Sequence, residues 1–438
     1  MARAPVTRFD VLILGGGSSG CVLAARLTED ADRSVCLVEA GPDYGPFDAV
    51  RWPAEILDAR NIPSTHDWET STDERGTSRA KVIGGCSAHN ACLVLRGTED
   101  DYNEWGHGWS EAELRSYLDR AEAELQTQPE VADEAPPWHA ATIEAARSLG
   151  FQAGPYRANA VDGVRWNAAF AYLDVARPRS NLTIRPKSHV DRLRLRGGRV
   201  IGAVLADGEE LRAKVVVLAC GTYGSPAVLL RSGIGPGLGI DLPVGENLID
   251  HPGVNVEWEA AVDLAPPDGQ ASYGMLVPEP DLQLVPWASQ REGAECVPTL
   301  LAFLMKPRSA GRLTLQSDDP LAPPLIAHAH LSDERDMQPI VRDVELARQV
   351  AATEPVASLV ARETAPGEVD VEEYVRANVR GYYHPVGTCS IGSVVDGQLR
   401  VVGVENLYVA DASVMPTIPR ANTHLTALAI AERAATWV

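Results

Sequence analysis

Two histidines near the end of the chain and two glycine-rich turns near its start hold the residue types that could do chemistry. His384 stands in YYHPVG (Tyr382 to Gly387), where Pro385 and Gly387 mark a fixed turn rather than a helix surface. His424 stands in NTH, at the start of a helix just after Pro419. A neutral imidazole titrates near operating pH, so either ring suits removal of a proton from a hydroxyl. Gly15, Gly17 and Gly20 form GxGxxG within GGGSSG, and Lys81 to Ala91 reads KVIGGCSAHNA. In that second turn Gly84 and Gly85 let a backbone approach something flat and bulky, and His89 follows a few residues later.

These residues need elements to position them. Phe9 to Leu14 (FDVLIL) reads as a buried parallel strand, a small-residue helix follows from about Ser19 to Thr28, and Val35 to Glu39 is a second strand. GxGxxG thus falls between strand and helix, where helix amides and dipole hold phosphates, and Glu39 is placed to accept ribose hydroxyls. The unit predicts a dinucleotide. Ser110 reads as the N-cap of a helix through Leu125. Gly197 and Gly198 make a hairpin turn, Val215 to Ala219 a strand, and a helix is expected from about Ser225-Pro226. The stretch from Val254 to about Met305 predicts an antiparallel sheet. Asp333 is expected to cap a helix to about Thr353, Leu407 to Ala410 to be a strand, and Asn422 to Thr436 to be the closing helix. The dinucleotide domain is therefore discontinuous, closed by both ends of the chain.

Composition narrows the class. The 438 residues are 45% hydrophobic and 23% charged, as in a globular protein with more than one structural region. Sixty acidic against 39 basic residues give a net charge of −21, which disfavours nucleic acid and anionic membrane as partners. No apolar run is long enough for a membrane span, and MARAPVTR has no apolar core of a secretory signal. Seven scattered cysteines without a CxxC pair fit reduced thiols in the cytoplasm.

Taken together, the motifs resemble the glucose–methanol–choline (GMC) oxidoreductases. GGGSSG followed by VEAG (Val38 to Gly41) resembles the family's opening, and KVIGGCSAHNACLVLRG (Lys81 to Gly97) its first motif. GTYGSPAVLLRSGIGP (Gly221 to Pro236) resembles the second, and VGENLIDHPG (Val244 to Gly253) the stretch after it. YYHPVGTCSIG (Tyr382 to Gly392) and LYVADASVMPTIPRANTHLTALAIAER (Leu407 to Arg433) resemble the C-terminal block. The order is the family's, over nearly the whole chain, and GGCSAHN is closest to the choline-oxidase-like branch.

The resemblance implies an α/β fold: a Rossmann-like FAD-binding domain plus an α+β substrate domain with an antiparallel sheet. Its expected parts are 1–254 for FAD binding, with part of the lid near 101–180, then 255–380 for substrate, and 381–438 returning to the FAD domain. It implies FAD as cofactor, held by Gly15, Gly17, Ser18, Ser19, Gly20, Glu39, Ala40, Gly84, Gly85, Ser87, His89, Asn90, Val190, Asp411, Ala412, Asn422 and Thr423. His89 occupies the position that can bond the flavin 8α-methyl in that branch, though many relatives hold FAD without a bond. Asp411 resembles the family acid near the ribityl or pyrophosphate region. Asn422 and Thr423 open the last helix toward the flavin N1–C2=O edge, where a helix N-terminus steadies negative charge.

His384 matches the catalytic histidine and His424 the second catalytic position; which of the two is the base stays open. The implied reaction is oxidation of a hydroxyl to an aldehyde or ketone, with hydride transfer to flavin N5. The same fold could instead do hydroxynitrile-lyase-like chemistry or bind flavin without catalysis. The partners are a small-molecule alcohol and oxygen or another electron acceptor; no oligomeric state is assigned. Trp258, Tyr273, Gln283, Trp287 and Phe303 are candidates for the substrate pocket. SYGMLV (Ser272 to Val277) offers no carboxylate for a trimethylammonium group, which argues against choline, and short loops suggest a more open pocket for a bulky substrate. His66, His107, His139, His189, His251, His328 and His330 are read as surface or structural. His328 and His330 could pair on a metal, but no third ligand is evident and no metal is expected.

Overall fold

The computed structural model describes residues 8–68, 77–129, 135–264, 274–290 and 296–438. Its first sheet grows outward from the strand Arg8–Leu14, whose residues Val11 to Leu14 are all buried. That strand pairs in parallel with Val35–Val38 on one side and Glu210–Leu218 on the other. Leu182–Arg185 adds to the first flank in parallel, and Leu407–Val409 adds to the second. The hairpin Val190–Arg196 and Arg199–Leu205 extends the sheet in antiparallel fashion, turning at Gly197 and Gly198 with φ of +58° and +76°. The expected strand–helix–strand opening is present, with the helix at Ser18–Leu27. Apolar residues on both faces of the central strands reflect cover from two sides. One cover is the closing helix Thr423–Ala434, packed on Ser18–Leu27 within the same core.

The second sheet is antiparallel. Its order runs Val360–Ala365, Pro252–Ala260, Cys296–Leu304, Leu282–Gln290, Gly274–Val277 and Gln152–Pro155, with Arg380–Gly381 beside Pro252–Ala260. Side chains alternate between its faces with a period of two. Val254, Val256, Leu300 and Ala302 join Ile340 and Val344 of the helix Met337–Ala351 in a second core. Their neighbours Asn255, Glu257, Thr299, Leu301 and Phe303 face a cavity. This sheet crosses the expected domain limits: Pro252–Ala260 spans 254/255, Arg380–Gly381 spans 380/381, and Gln152–Pro155 comes from within 1–254.

Two helices start elsewhere than expected, for identifiable reasons. The helix expected from Ser225-Pro226 begins at Gly221 and runs to Arg231, with Pro226 inside it. Proline leaves the Thr222 carbonyl without its helical donor, and Thr388 Oγ1 donates to that carbonyl at 2.7 Å instead. Asp333 caps only the short turn Glu334–Asp336, and the long helix follows from Met337. Ser110 precedes the helix Glu111–Glu124 as expected, its amide donating to the Glu113 carboxylate at 2.9 Å. Among the described residues no helix is long and apolar enough to cross a membrane.

Candidate active site

A continuous cavity of about 1260 Å³ runs from the first glycine turn to the second sheet, above the usual few hundred to about 1,000 Å³ of small-molecule sites. At one end lie Gly15, Gly17, Ser18 and Ser19, with Glu39, Ala40 and Val190. The helix starting at Ser18 has no side-chain cap, so its first amides are left for an anion at the cavity wall. Glu39 is buried, and its carboxylate accepts from the Gly16 and Gly41 amides at 2.8 and 2.7 Å. Burial pushes its pKa up to about 7 against those hydrogen bonds. A seat of uncapped amides beside a carboxylate fits the pyrophosphate and ribose of a dinucleotide.

The two glycine-rich turns touch. The Gly84 amide donates to the Gly16 carbonyl at 2.8 Å. Gly85, at φ +55°, lies so near the first turn that a Cβ on it would stand 2.7 Å from Gly17 Cα. Gly85, His89 and Asn90 continue the cavity wall, whereas Gly20, Gly84 and Ser87 stand behind it. Gly20 serves packing, since a Cβ there would meet the Gly15 carbonyl oxygen at 1.9 Å. The Ser87 hydroxyl donates to Gly84 O at 2.6 Å and accepts from the Ala168 amide at 2.9 Å, so it braces the turn rather than facing the cavity. His89 is half-buried with Nε2 against the Thr65 carbonyl, which leaves Nδ1 with the lone pair.

Asp411 and Ala412 also line the cavity. Asp411 accepts from the Gly221 amide at 2.9 Å, the Ser225 hydroxyl at 2.5 Å and the Ser413 amide at 2.9 Å, clamping two loops together. Arg79, two residues before the Lys81 motif, adds a guanidinium to the wall, donating to Ser78 O at 2.7 Å and lying over the Tyr223 ring. Such a fixed cation suits an anionic cofactor.

His384, Asn422, Thr423 and His424 converge on the far half of the cavity. The structure adds a residue that the sequence reading had set aside as structural: His251, whose Nδ1 lies 3.0 Å from His384 Nδ1. Both histidines directly precede a proline, at His251-Pro252 and His384-Pro385, a shared signature that could have singled His251 out. Asp250 joins the two loops, its Oδ1 accepting from the amides of His251, Tyr382 and His384 at 2.8, 3.3 and 2.9 Å. Burial pushes the Asp250 carboxyl up to about 6.

The proton positions follow from the partners. His251 Nε2 lies 3.0 Å from the Pro419 carbonyl, which only accepts, so Nε2 carries the hydrogen. Burial holds His251 down to about 3, so the ring is neutral and its Nδ1 is an acceptor. His384 must then donate from Nδ1. Its own pKa is driven well below the imidazole value, by burial first and then by the nearby His251 and Arg79. A neutral His384 with hydrogen on Nδ1 has its lone pair on Nε2, which the Asn422 amide group meets at 3.0 Å. Asn422, expected at the flavin edge, thus spends its side chain on His384. His424 is held down to about 4 by burial, and neither of its ring nitrogens has a hydrogen-bond partner among the described residues. Ligand atoms of Asp250, His251 and His384 lie within 4.8 Å of one another, but the contacts above already use the Asp250 Oδ1 and both His251 nitrogens.

On the substrate side, Trp287 and Phe303 reach the cavity, Trp258 packs into the second core beside Trp138, and Gln283 is buried outside the wall. Tyr273 lies outside the described residues. A carboxylate does reach this wall, at Glu257, on a strand earlier than the Ser272 to Val277 stretch. His189 also lines the cavity, beside Val190, while His328 and His330 stack with ring centroids 5.0 Å apart.

Residues 9–253 and 307–431 match the two family models described as GMC oxidoreductase. Human mitochondrial choline dehydrogenase is 31% identical, over 98% of this chain and 89% of its own length. Choline oxidase from Arthrobacter globiformis is 30% identical, over 98% and 93%. Among solved structures, pyridoxine 4-oxidase from Mesorbium loti is 30% identical and superposes with a TM-score of 0.88, covering 98% of this chain and 99% of that one.

The contact between the turns gives a direct test. Gly85→Ala forces a Cβ into Gly17 from a left-handed backbone, and the variant is expected to purify with clearly less than the wild-type FAD per chain, read from flavin absorbance after denaturation. Equal FAD content would show that the approach of the two turns does not matter to the cofactor.

Proposed function

This chain belongs to the GMC oxidoreductases, FAD-dependent enzymes that oxidise hydroxyl groups, and we propose that His384 is the base that takes the hydroxyl proton of its alcohol substrate. The supporting observation is the neutral ring whose lone pair is held on Nε2 by the Pro419–His251–His384 chain. An alcohol oxygen that takes the place of the Asn422 amide at that nitrogen gives up its proton as the carbon gives up hydride, so charge does not build on the buried oxygen. FAD, when bound, supplies the hydride acceptor. His424, whose two ring nitrogens have no partner among the described residues and which lines the same half of the cavity, orients the same hydroxyl. His251 acts through His384 as a positioning residue. Asp250 fixes both loops by their backbone amides.

Glu39, the uncapped helix start and Gly85 form the cofactor seat in this reading, and Asp411 fixes the loops around it. His89 would hold the flavin covalently when FAD is bound, its half-buried ring being carried on the turn that meets the first glycine turn. The substrate is a small-molecule alcohol, with oxygen or another acceptor taking the electrons. Among the described residues, which include all seven cysteines, there is no disulfide, which suits a cytoplasmic enzyme.

Four measurements test these assignments. His384→Ala is expected to slow anaerobic flavin bleaching by a true substrate by roughly 10²–10⁴. Because the ring's pKa is lowered, the acid limb of wild-type kcat/KM should fall below the ordinary value of 6.5. Unchanged bleaching in the variant would remove the base assignment, and turnover with no bleaching in the wild type would favour lyase chemistry. His251→Leu is expected to slow reduction about ten- to hundredfold, while His251→Asn, whose carboxamide oxygen can accept from His384 Nδ1, recovers most of the rate; equal loss in both would mean a packing role. After acid denaturation and gel filtration the yellow colour should stay with wild-type protein and leave His89→Ala. Colour lost from the wild type would end the covalent reading alone.

A further inference from the structure

A buried ion cluster lies behind the His251–His384 pair, against the loop that supplies the Pro419 carbonyl. At its centre is Asp101, on the short helix Glu99–Asn103 and wholly buried. Its Oδ2 accepts from the Thr98 amide and hydroxyl at 2.8 and 2.9 Å and from the Arg420 amide at 2.9 Å. Its Oδ1 accepts from Arg420 Nη1 at 2.6 Å and from Lys306 Nζ at 3.2 Å. Lys306 donates onward to the Ile418 carbonyl at 2.9 Å and to Glu104, and Arg420 Nε donates to Asp281 at 2.6 Å. The two cations come to Asp101 from 205 and 319 residues away in the chain.

The cluster meets the proton chain through one peptide group. The Arg420 N–H and the Pro419 C=O belong to the same planar trans peptide, so they point in opposite directions. Asp101 holds the N–H side at 2.9 Å, and His251 Nε2 meets the C=O side at 3.0 Å. Turning that carbonyl away from His251 therefore breaks the bond from Arg420 to Asp101. The neighbouring groups are held too. The Pro419 carbonyl also accepts from the Ala421 amide at 2.7 Å, Lys306 holds the Ile418 carbonyl, and Trp105 Nε1 donates to the Thr417 carbonyl at 3.1 Å. The proline ring packs closely as well, since a Cβ on Gly97 would stand 2.9 Å from Pro419 Cβ. Ion pairs removed from water add little stability over apolar packing, because lost hydration offsets their attraction. What such a carboxylate does supply is direction: its donors must all keep their angles at once.

We propose that Asp101 is a positioning residue for the proton transfer: by holding the Arg420 amide it keeps the Pro419 carbonyl on His251 Nε2, and so keeps the lone pair of His384 on Nε2. Lys306 supports it from the other side of Pro419. This rests on the reading of His384 as the base. Neither Asp101 nor Lys306 lines the cavity, so both act through the loop and not on the substrate. Without the clamp the Pro419 carbonyl is free to turn, and His251 can then carry its hydrogen on either nitrogen. A hydrogen on His251 Nδ1 reverses the bond to His384 and leaves His384 Nε2 with a hydrogen where the reaction needs a lone pair.

The test uses FAD-loaded enzyme carrying ¹⁵N-labelled histidine, with the His251 ring signals identified by their loss in His251→Asn. Wild-type protein should show the His251 hydrogen on Nε2 alone. In Asp101→Ala it is expected to be shared between the two nitrogens. Anaerobic flavin bleaching by the fastest of choline, benzyl alcohol and ethanol should slow roughly tenfold or more in that variant, with the half-saturating alcohol concentration within about twofold of wild type. Asp101→Asn, whose carboxamide oxygen can still accept the Arg420 amide, should recover the wild-type ring signals and most of the rate. On a His251→Leu background Asp101→Ala should slow bleaching no further, because residues that act through one another are not additive. Lys306→Met leaves Asp101 paired with Arg420 and is expected to disturb the same ring signals, so it decides the matter should Asp101→Ala not fold. Unchanged ring signals, equal loss in Asp101→Ala and Asp101→Asn, or equal slowing with and without His251 overturns the proposal and leaves His384 as the base. Disturbed ring signals with unchanged bleaching overturn the base reading, and this role with it.

Discussion

The hydrogen bond from the Gly84 amide to the Gly16 carbonyl is the constraint on which the arrangement turns. It joins a strand-to-helix turn near the start of the chain to a loop some seventy residues later, at a distance where a Cβ on Gly85 would stand 2.7 Å from Gly17 Cα. The uncapped helix start proposed to seat the phosphates follows the first turn, and His89 is carried on the second. Fixing one against the other sets the spacing between the proposed phosphate seat and His89 along the cavity wall. The second sheet then needs only to close the far end.

Burial does the electrostatic work at that far end. His251, His384 and His424 are all held neutral by removal from water, which disfavours the charged form of a base. The same effect pushes Asp250 and Glu39 upward, so acids and bases both drift toward neutrality while the guanidinium of Arg79 keeps its charge. Neutral histidines facing each other have a direction. The Pro419 carbonyl sets one hydrogen, and the order propagates through two rings to His384 Nε2, where the Asn422 amide meets the lone pair. A single backbone acceptor thereby decides which nitrogen of a distant ring keeps its lone pair.

Much of this was legible in the order of residues because it is local. GxGxxG between an apolar run and a helix, the paired glycines at Gly84 and Gly85, and the alternation in Pro252–Ala260 are short-range patterns, and each describes its own element. What was not legible arises between elements. His251 and His384 are 133 residues apart, and only their shared position before a proline hints at the pairing. Ser87 looks like a ligand from its motif but turns inward, because the Ala168 amide comes to it from a distant segment. Glu257 escaped notice for the opposite reason: the expectation fell on a different strand, while sheet pairing decides which carboxylate faces the cavity. The start of the helix at Gly221 likewise depends on Asp411, 190 residues later.

That last contact has a consequence for how the protein is made. The parallel strand Leu407–Val409, the Asp411 clamp and the helix Thr423–Ala434 all complete the domain that the first residues open. Synthesis runs from the N-terminus at about 5–20 residues per second, so the glycine turns leave the ribosome well before their closing partners exist. Until then Val216 to Leu218 lack a neighbour on one edge, and the part of Ser18–Leu27 that Thr423–Ala434 covers is bare. The nascent chain is an unfinished half until then, and the cavity acquires the wall formed by Asp411, Asn422 and His424 only at the end of synthesis.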